Sequence, residues 1–175
     1  MKKKIVLIIL VFSILLNISC QKKEVKKCDT KKMSKLYQTE DGLNSFRFNL
    51  PDTLYTGKEY VGEILYKGVF DTIVPDLMKK NPYGDRFINF YATKTNRGNI
   101  LDDDLKSEFK LDTFSTYQSN RIPLKKIKFD KEGIFYLDGF IEDELFLKAK
   151  DTSEVRLISK TYRAKHKFIV IDSIN

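Results

Sequence analysis

The stretch GIFYLDGFI, residues 133–141, decides the fold class of this chain. It is apolar on both faces of an extended segment except at Asp138 and Gly139, which is typical of a strand in the middle of a covered sheet. A second apolar run, FIVID at residues 168–172, closes the chain. These two runs predict a domain that is built from sheets.

Other segments also have the period of strands. In SFRFNL, residues 45–50, the side chains of Phe46, Phe48 and Leu50 fall on one face. In KKIKF, residues 125–129, the lysines are expected on the wet face of a half-buried strand. The remaining strand-like segments are residues 59–67, 69–74, 86–94, 110–117, 144–149, 155–162 and 167–172.

About ten short strands at intervals of roughly eight to twelve residues predict an all-β fold, namely a single antiparallel β-sandwich of the immunoglobulin-like kind. A small up-and-down β-barrel is the alternative. Helix is expected only at residues 76–80, after Pro75, and at residues 102–109, where three acids would stabilise the positive end of the helix dipole.

The runs at residues 133–141 and 168–172 resemble the late strands of bacterial immunoglobulin-like modules. This resemblance covers about a third of the domain and implies an immunoglobulin-like sandwich for residues 39–175. The chain lacks the cysteine pair and the tryptophan of antibody domains.

The N-terminus has the layout of an export signal: three lysines, an apolar run at residues 5–16, and a small residue before Cys20. It resembles the signal of bacterial lipoproteins, of the kind found in Bacteroidota, although Asn17 stands where that family usually has leucine. The resemblance implies that residues 1–19 are removed and that Cys20 is lipidated, which anchors the protein to a membrane outside the cytoplasm. Since Gln21, not aspartate, follows the cysteine, an outer membrane is favoured over an inner one.

Two other interpretations of the N-terminus stay open. An uncleaved anchor needs about 20 apolar residues to cross a bilayer, whereas this run has twelve. Ordinary cleavage with Cys20 unmodified would give a soluble secreted protein.

The positive charge of the chain is concentrated before the predicted domain. Residues 20–35 hold seven lysines and two acids, whereas residues 36–175 hold 22 basic and 22 acidic residues. We therefore expect residues 20–38 to form a lysine-rich tether, as a solvated spacer or in contact with anionic lipid head groups. A domain without net charge argues against a nucleic-acid partner. Cys28, in the tether, is either an incidental thiol or a site of pairing between chains.

No residue pattern indicates catalysis, a metal or a cofactor. His166 is the only histidine and is expected to face solvent at the end of a strand. The acidic clusters at residues 102–104 and 142–144 lack the spacing of a calcium loop, and a solvated loop or a helix start explains them.

Three tyrosines in predicted loops or strand ends, Tyr55, Tyr83 and Tyr117, are candidates for an exposed binding surface. The leading hypothesis is a lipid-anchored, non-catalytic binding or assembly module of the cell envelope, whose partner is an envelope protein or a glycan. One alternative is an envelope hydrolase that uses carboxylates. Another is an inhibitor or immunity lipoprotein that acts through a loop at residues 76–85 or 96–104.

Overall fold

The computed structural model describes residues 35–39, 42–73, 84–117, 119–148 and 154–172. These residues form two sheets in a sandwich-like arrangement with a curled, half-barrel sheet, and little helix. The predicted all-β sandwich is thereby confirmed. Among the described residues, no helix is long and apolar enough to span a membrane.

The first sheet has four antiparallel strands in the order β1-β2-β4-β7. They are β1 (Leu36–Gln38), β2 (Ser45–Asn49), β4 (Glu59–Lys67) and β7 (Arg121–Lys128). Since β1 pairs with β2, this sheet includes residues 36–38, which were predicted to belong to the tether. The N-terminal signal and most of the tether lie outside the described residues.

The second sheet has five strands in the order β3-β9-β8-β5-β6. They are β3 (Thr53–Tyr55), β5 (Gly84–Thr95), β6 (Asp112–Tyr117), β8 (Gly133–Lys148) and β9 (Val155–Ile171). Every pair is antiparallel except β3 and β9, which run parallel.

The long β8–β9 hairpin differs from the shorter strands predicted for this region. Residues 133–148 form one strand and residues 155–171 another, because the polar residues inside each of them stay in the ladder instead of forming turns. Gly139 lies between Ala92 on β5 and Ala164 on β9 in one row across the sheet. A Cβ at Gly139 would overlap the backbone carbonyl of Tyr91, so this row requires small residues.

The main core lies between the sheets and is built from alternate residues of each strand. Phe46, Phe48 and Leu50 are buried in it, as their spacing predicts. Its other large members include Leu54, Ile64, Phe90, Ile122, Leu124, Ile141 and Phe168.

Helix α1 (Asp102–Glu108) confirms the helix predicted at residues 102–109. Its Leu105 packs with Ile100 on Phe140, on the face of β8 that points away from the main core. A short 3₁₀ turn (Val69–Thr72) follows β4. The helix predicted at residues 76–80 lies outside the described residues.

Candidate functional site

A cleft of about 290 Å³ opens where the edge strands β6 and β7 of the two sheets face each other. Neither edge is hydrogen-bonded to the other, so the sandwich is open along this side. The cleft combines lysine side chains with an apolar floor. It is lined by Lys94, Asp112, Phe114, Lys125, Lys126, Ile127 and Leu137.

A β-bulge in β7 forms one wall of this cleft. Tyr60 pairs with Ile127 and Gly62 pairs with Leu124, so Val61 alone faces both Lys125 and Lys126. Lys126 has a φ of 58° and is the one described residue other than glycine with a positive φ. The lysines of residues 125–129 are exposed as predicted, but the ladder is interrupted here, and two consecutive lysines therefore lie at the cleft.

The left-handed backbone at Lys126 has an energetic cost. For an L-residue with a side chain this conformation costs about 1–2 kcal/mol relative to ordinary backbone. Such strain persists where the surrounding structure enforces it, and it is frequent at functional sites. Bulges likewise occur near active sites and redirect side chains.

The positive charge of the cleft is not neutralised within the described residues. Neighbouring Lys128 forms an ion pair of 2.8 Å with Asp130, and the hydrogen bond and charge of Lys128, together with the charge of Lys94, lower the pKa of Asp130. Lys94, Lys125 and Lys126 form no ion pair with any carboxylate that the structure describes. The Nζ of Lys94 lies 3.5 Å from the backbone oxygen of Lys128. With Asp112 as its one lining carboxylate, the cleft holds three positive charges and one negative charge.

A buried polar network lies further along the sandwich, and in it, unlike in the cleft, the charged side chains pair with one another. The guanidinium of Arg86 donates to both carboxylate oxygens of Asp143, at 2.7 and 2.6 Å, and to Asp71 at 2.6 Å. The side chains of Arg86 and Asp143 are fully buried. The hydroxyl of Tyr66 donates to Asp143 at 3.1 Å, and the backbone N–H of Val69 donates to Asn44 at 3.0 Å.

The network fixes the charge states of its members. Burial disfavours the charged form of Arg86, but the hydrogen bonds and charges of Asp143 and Asp71 outweigh it and raise the pKa of the guanidinium. Burial and the charge of Asp143 raise the pKa of Tyr66, which stays a neutral donor. Because each Arg86 contact is to a carboxylate of the domain itself, this network is a structural element that ties β5, β8 and the 3₁₀ turn together.

The prediction of a solvated loop or helix start for residues 142–144 is wrong, because all three lie inside β8. Asp143 points into the sandwich toward Arg86, while Glu142 and Glu144 are partly exposed on the opposite face. Asn89 donates to Glu144 at 3.2 Å, and burial together with the charge of Glu142 raises the pKa of Glu144.

The other acidic cluster, residues 102–104, begins helix α1, as one of its predicted interpretations requires. Arg163 on β9 donates to both carboxylate oxygens of buried Asp138, each at 2.9 Å, and to Asp102 at 2.6 Å. The cluster thus contributes to docking the helix on the sheet. Among the described residues, no group of three or more potential ligands is arranged to hold a metal ion.

His166 is buried and does not face solvent at a strand end, so that prediction is wrong. It points inward from β9, with its ring 4.9 Å from that of Phe48 and 4.7 Å from that of Phe168. Its Nε2 lies 3.3 Å from Asp52, but neither ring nitrogen has a hydrogen-bond partner in the structure. Burial lowers the pKa of His166, and the charge of Asp52 only partly opposes this shift.

Of the three predicted surface tyrosines, the structure describes Tyr55 and Tyr117 and places them apart. Tyr55 lies on edge strand β3 and Tyr117 on edge strand β6, at opposite edges of the five-stranded sheet. Both are exposed, and the ring of Tyr117 packs on Phe87 at 4.9 Å while its hydroxyl donates to Asp85 at 2.7 Å. Tyr83 lies outside the described residues, as do Cys20, Cys28 and most of the loop at 76–85.

No family model, no curated protein and no solved structure matches this chain. The immunoglobulin-like likeness therefore stays a prediction. The cleft has one signal in the sequence, the lysine pair at 125–126, which breaks the strand alternation.

Proposed function

We propose that this protein is a lipid-anchored component of the cell envelope. In this proposal residues 1–19 direct export, Cys20 carries the lipid, and the β-sandwich is a non-catalytic binding or assembly module outside the cytoplasm, at an outer membrane in preference to an inner one. The support for the anchor is the signal-like sequence at residues 1–20.

The position of His166 is the observation that carries the non-catalytic part of the proposal. A histidine that acts as a general base must lie within hydrogen-bond reach of the group that it deprotonates. The only histidine of this chain instead packs between two phenylalanine rings, without a hydrogen bond to any described hydroxyl. This arrangement favours a role for His166 in packing.

The cleft between β6 and β7 gives such a module a place to bind. The paired networks around Arg86 and Arg163 hold the sheets and helix α1 in position, whereas the lysines of the cleft lack ionic partners among the described residues. We propose an envelope protein, a glycan or a small envelope compound as the partner. The absence of net charge over residues 36–175 argues against nucleic acid.

Replacement of the cysteines one at a time tests the anchor. The Cys20→Ala chain should leave the membrane fraction or keep its signal segment uncleaved, whereas the Cys28→Ala chain should stay with the membrane and be processed normally. Cell fractionation combined with metabolic labelling by a fatty acid measures both. Equal labelling of the Cys20→Ala chain and the unaltered chain would contradict the proposal.

One observation favours the hydrolase as a second candidate function. Glu142 and Glu144 are two residues apart on the same face of β8, and the pKa of Glu144 is raised, as a general acid requires. A Glu144→Gln variant that loses a hydrolytic activity of the purified protein, beside a Glu154→Gln control that keeps it, would support this candidate.

A further inference from the structure

We propose that the cleft between β6 and β7 binds a small amphipathic anion: a carboxylate, sulfonate or phosphate head group on an apolar body. In this arrangement Lys94, Lys125 and Lys126 hold the head group, and the apolar body lies on the partly exposed ring of Phe114, above buried Ile127 and Leu137. The inference rests on the proposed role of the domain as a binding module and specifies the class of its ligand.

The charge of the cleft selects an anion. Buried Arg86 and partly exposed Arg163 are each paired with carboxylates from their own domain, so they have no free capacity for a ligand. The three cleft lysines line one cavity and form no ion pair among the described residues, although the charge of Lys94 acts on exposed Asp130. Asp112 leaves an excess of two positive charges, which an anionic head group would reduce.

The floor of the cleft selects a ligand with an apolar part. Phe114 packs against the main core and stays partly exposed, so its ring gains from contact with an apolar group, while Ile127 and Leu137, each 1% exposed, lie beneath it. An inorganic anion would leave the exposed part of that ring in water. The volume of about 290 Å³ lies at the lower end for ligand sites and corresponds to about ten water molecules in the liquid, which fits a ligand with roughly ten heavy atoms.

The backbone conformation of Lys126 places both Lys125 and Lys126 on the wall of the cleft. A regular strand would send Lys125 and Lys126 to opposite faces of the sheet. The bulge opposite Val61 and the left-handed backbone of Lys126 instead bring both residues to the cleft wall. Glycine would adopt this backbone without strain, yet the position holds a lysine.

Calorimetric titration with 3-phenylpropanoate tests the ligand class. The full chain is held in nanodiscs of phosphatidylcholine, and empty nanodiscs give the background. We expect a Kd of about 0.1–1 mM, with 3-phenylpropanamide and inorganic phosphate at least about tenfold weaker. Equal binding of the neutral amide or of bare phosphate, or no binding up to about 10 mM, would overturn the inference.

Lysine variants locate the site. The double variant Lys125→Gln with Lys126→Gln should bind at least about tenfold more weakly, whereas Lys160→Gln, an exposed lysine of β9 distant from the cleft, should bind like the unaltered chain. Circular dichroism of each variant checks that the fold is retained. Unchanged binding by a folded double variant would overturn the inference.

The same head-group chemistry occurs in free acids and in membrane lipids. Titration in nanodiscs that contain phosphatidylglycerol separates the two sources. If 3-phenylpropanoate binds more weakly in these nanodiscs, and the double variant does not show this weakening, the cleft binds a lipid head group. If 3-phenylpropanoate binds equally in both kinds of nanodisc, the cleft binds a free acid. Failure of the lipid anchor at Cys20 would change fractionation, and the unanchored chain would then be titrated with 3-phenylpropanoate without nanodiscs, so the two proposals can fail separately.

Discussion

Removal of the guanidinium of Arg86 should be among the most damaging single changes in the domain. In an Arg86→Met chain the carboxylate of Asp143 stays fully buried and keeps one described side-chain donor, the hydroxyl of Tyr66 at 3.1 Å. Three short charge-assisted contacts of 2.6–2.7 Å disappear. Since breaking a buried ion pair from one side costs about 3–5 kcal/mol, we expect a loss of that size in the free energy of unfolding.

Urea unfolding measures this loss, followed by the fluorescence of the nine tyrosines in a chain without tryptophan. Arg121→Met is the matched control. It removes a guanidinium that pairs with Glu63 at 3.0 Å but is 64% exposed, so it should cost no more than about 1 kcal/mol.

A double-mutant cycle separates the pairing from the packing. Because Arg86→Met with Asp143→Leu removes both buried charges, it should be markedly more stable than the sum of the two single losses predicts. If Arg86→Met costs no more than Arg121→Met, or if the two single losses simply add, the network does not hold the sheets together as we describe.

Further predictions concern the bulge and the buried histidine. Lys126→Gly should raise the free energy of unfolding by about 1 kcal/mol, because glycine relieves the left-handed strain, while Lys125→Gly should lower it by about 0.5–1 kcal/mol; urea midpoints that fall equally in both variants would contradict this. The pKa of His166 is lowered from its ordinary value of 6.5, so its neutral form contributes stability that is complete above pH 6.5 and is lost as the pH falls through the lowered pKa of the folded state. We expect this contribution to fall by at most about 1.4 kcal/mol per pH unit between pH 6.5 and the lowered pKa of the folded state. His166→Phe should remove this part of the pH dependence, and unfolding curves at pH values on both sides of 6.5 compare the two chains; an unchanged slope in the variant would contradict burial as its cause.

Much of the fold follows from local patterns in the sequence. The sequence correctly predicted the burial of Phe46, Phe48 and Leu50 and the start of helix α1 at its three acids. These predictions succeed because the strand and helix periods depend on residues close in sequence. The continuity of β8 was missed, since Asp143 resembles a turn residue until its partner Arg86, 57 positions earlier, is known.

The candidate site was the least predictable part for the same reason. Histidine is a polar residue that sequence patterns place on the surface, yet His166 is buried because its position on β9 faces Phe48 of the other sheet. The cleft needs residues from four strands, β5, β6, β7 and β8, and a bulge that shows in sequence only as two adjacent lysines. Contacts between distant strands are set by the tertiary fold and leave no local pattern.

The central claim, that the sandwich is held at a membrane by a lipid on Cys20, is tested most directly by the intact mass of the protein isolated from membranes. We predict a chain that begins at Cys20 and carries the additional mass of a lipid. A chain of unmodified mass that begins at any other residue would contradict the claim.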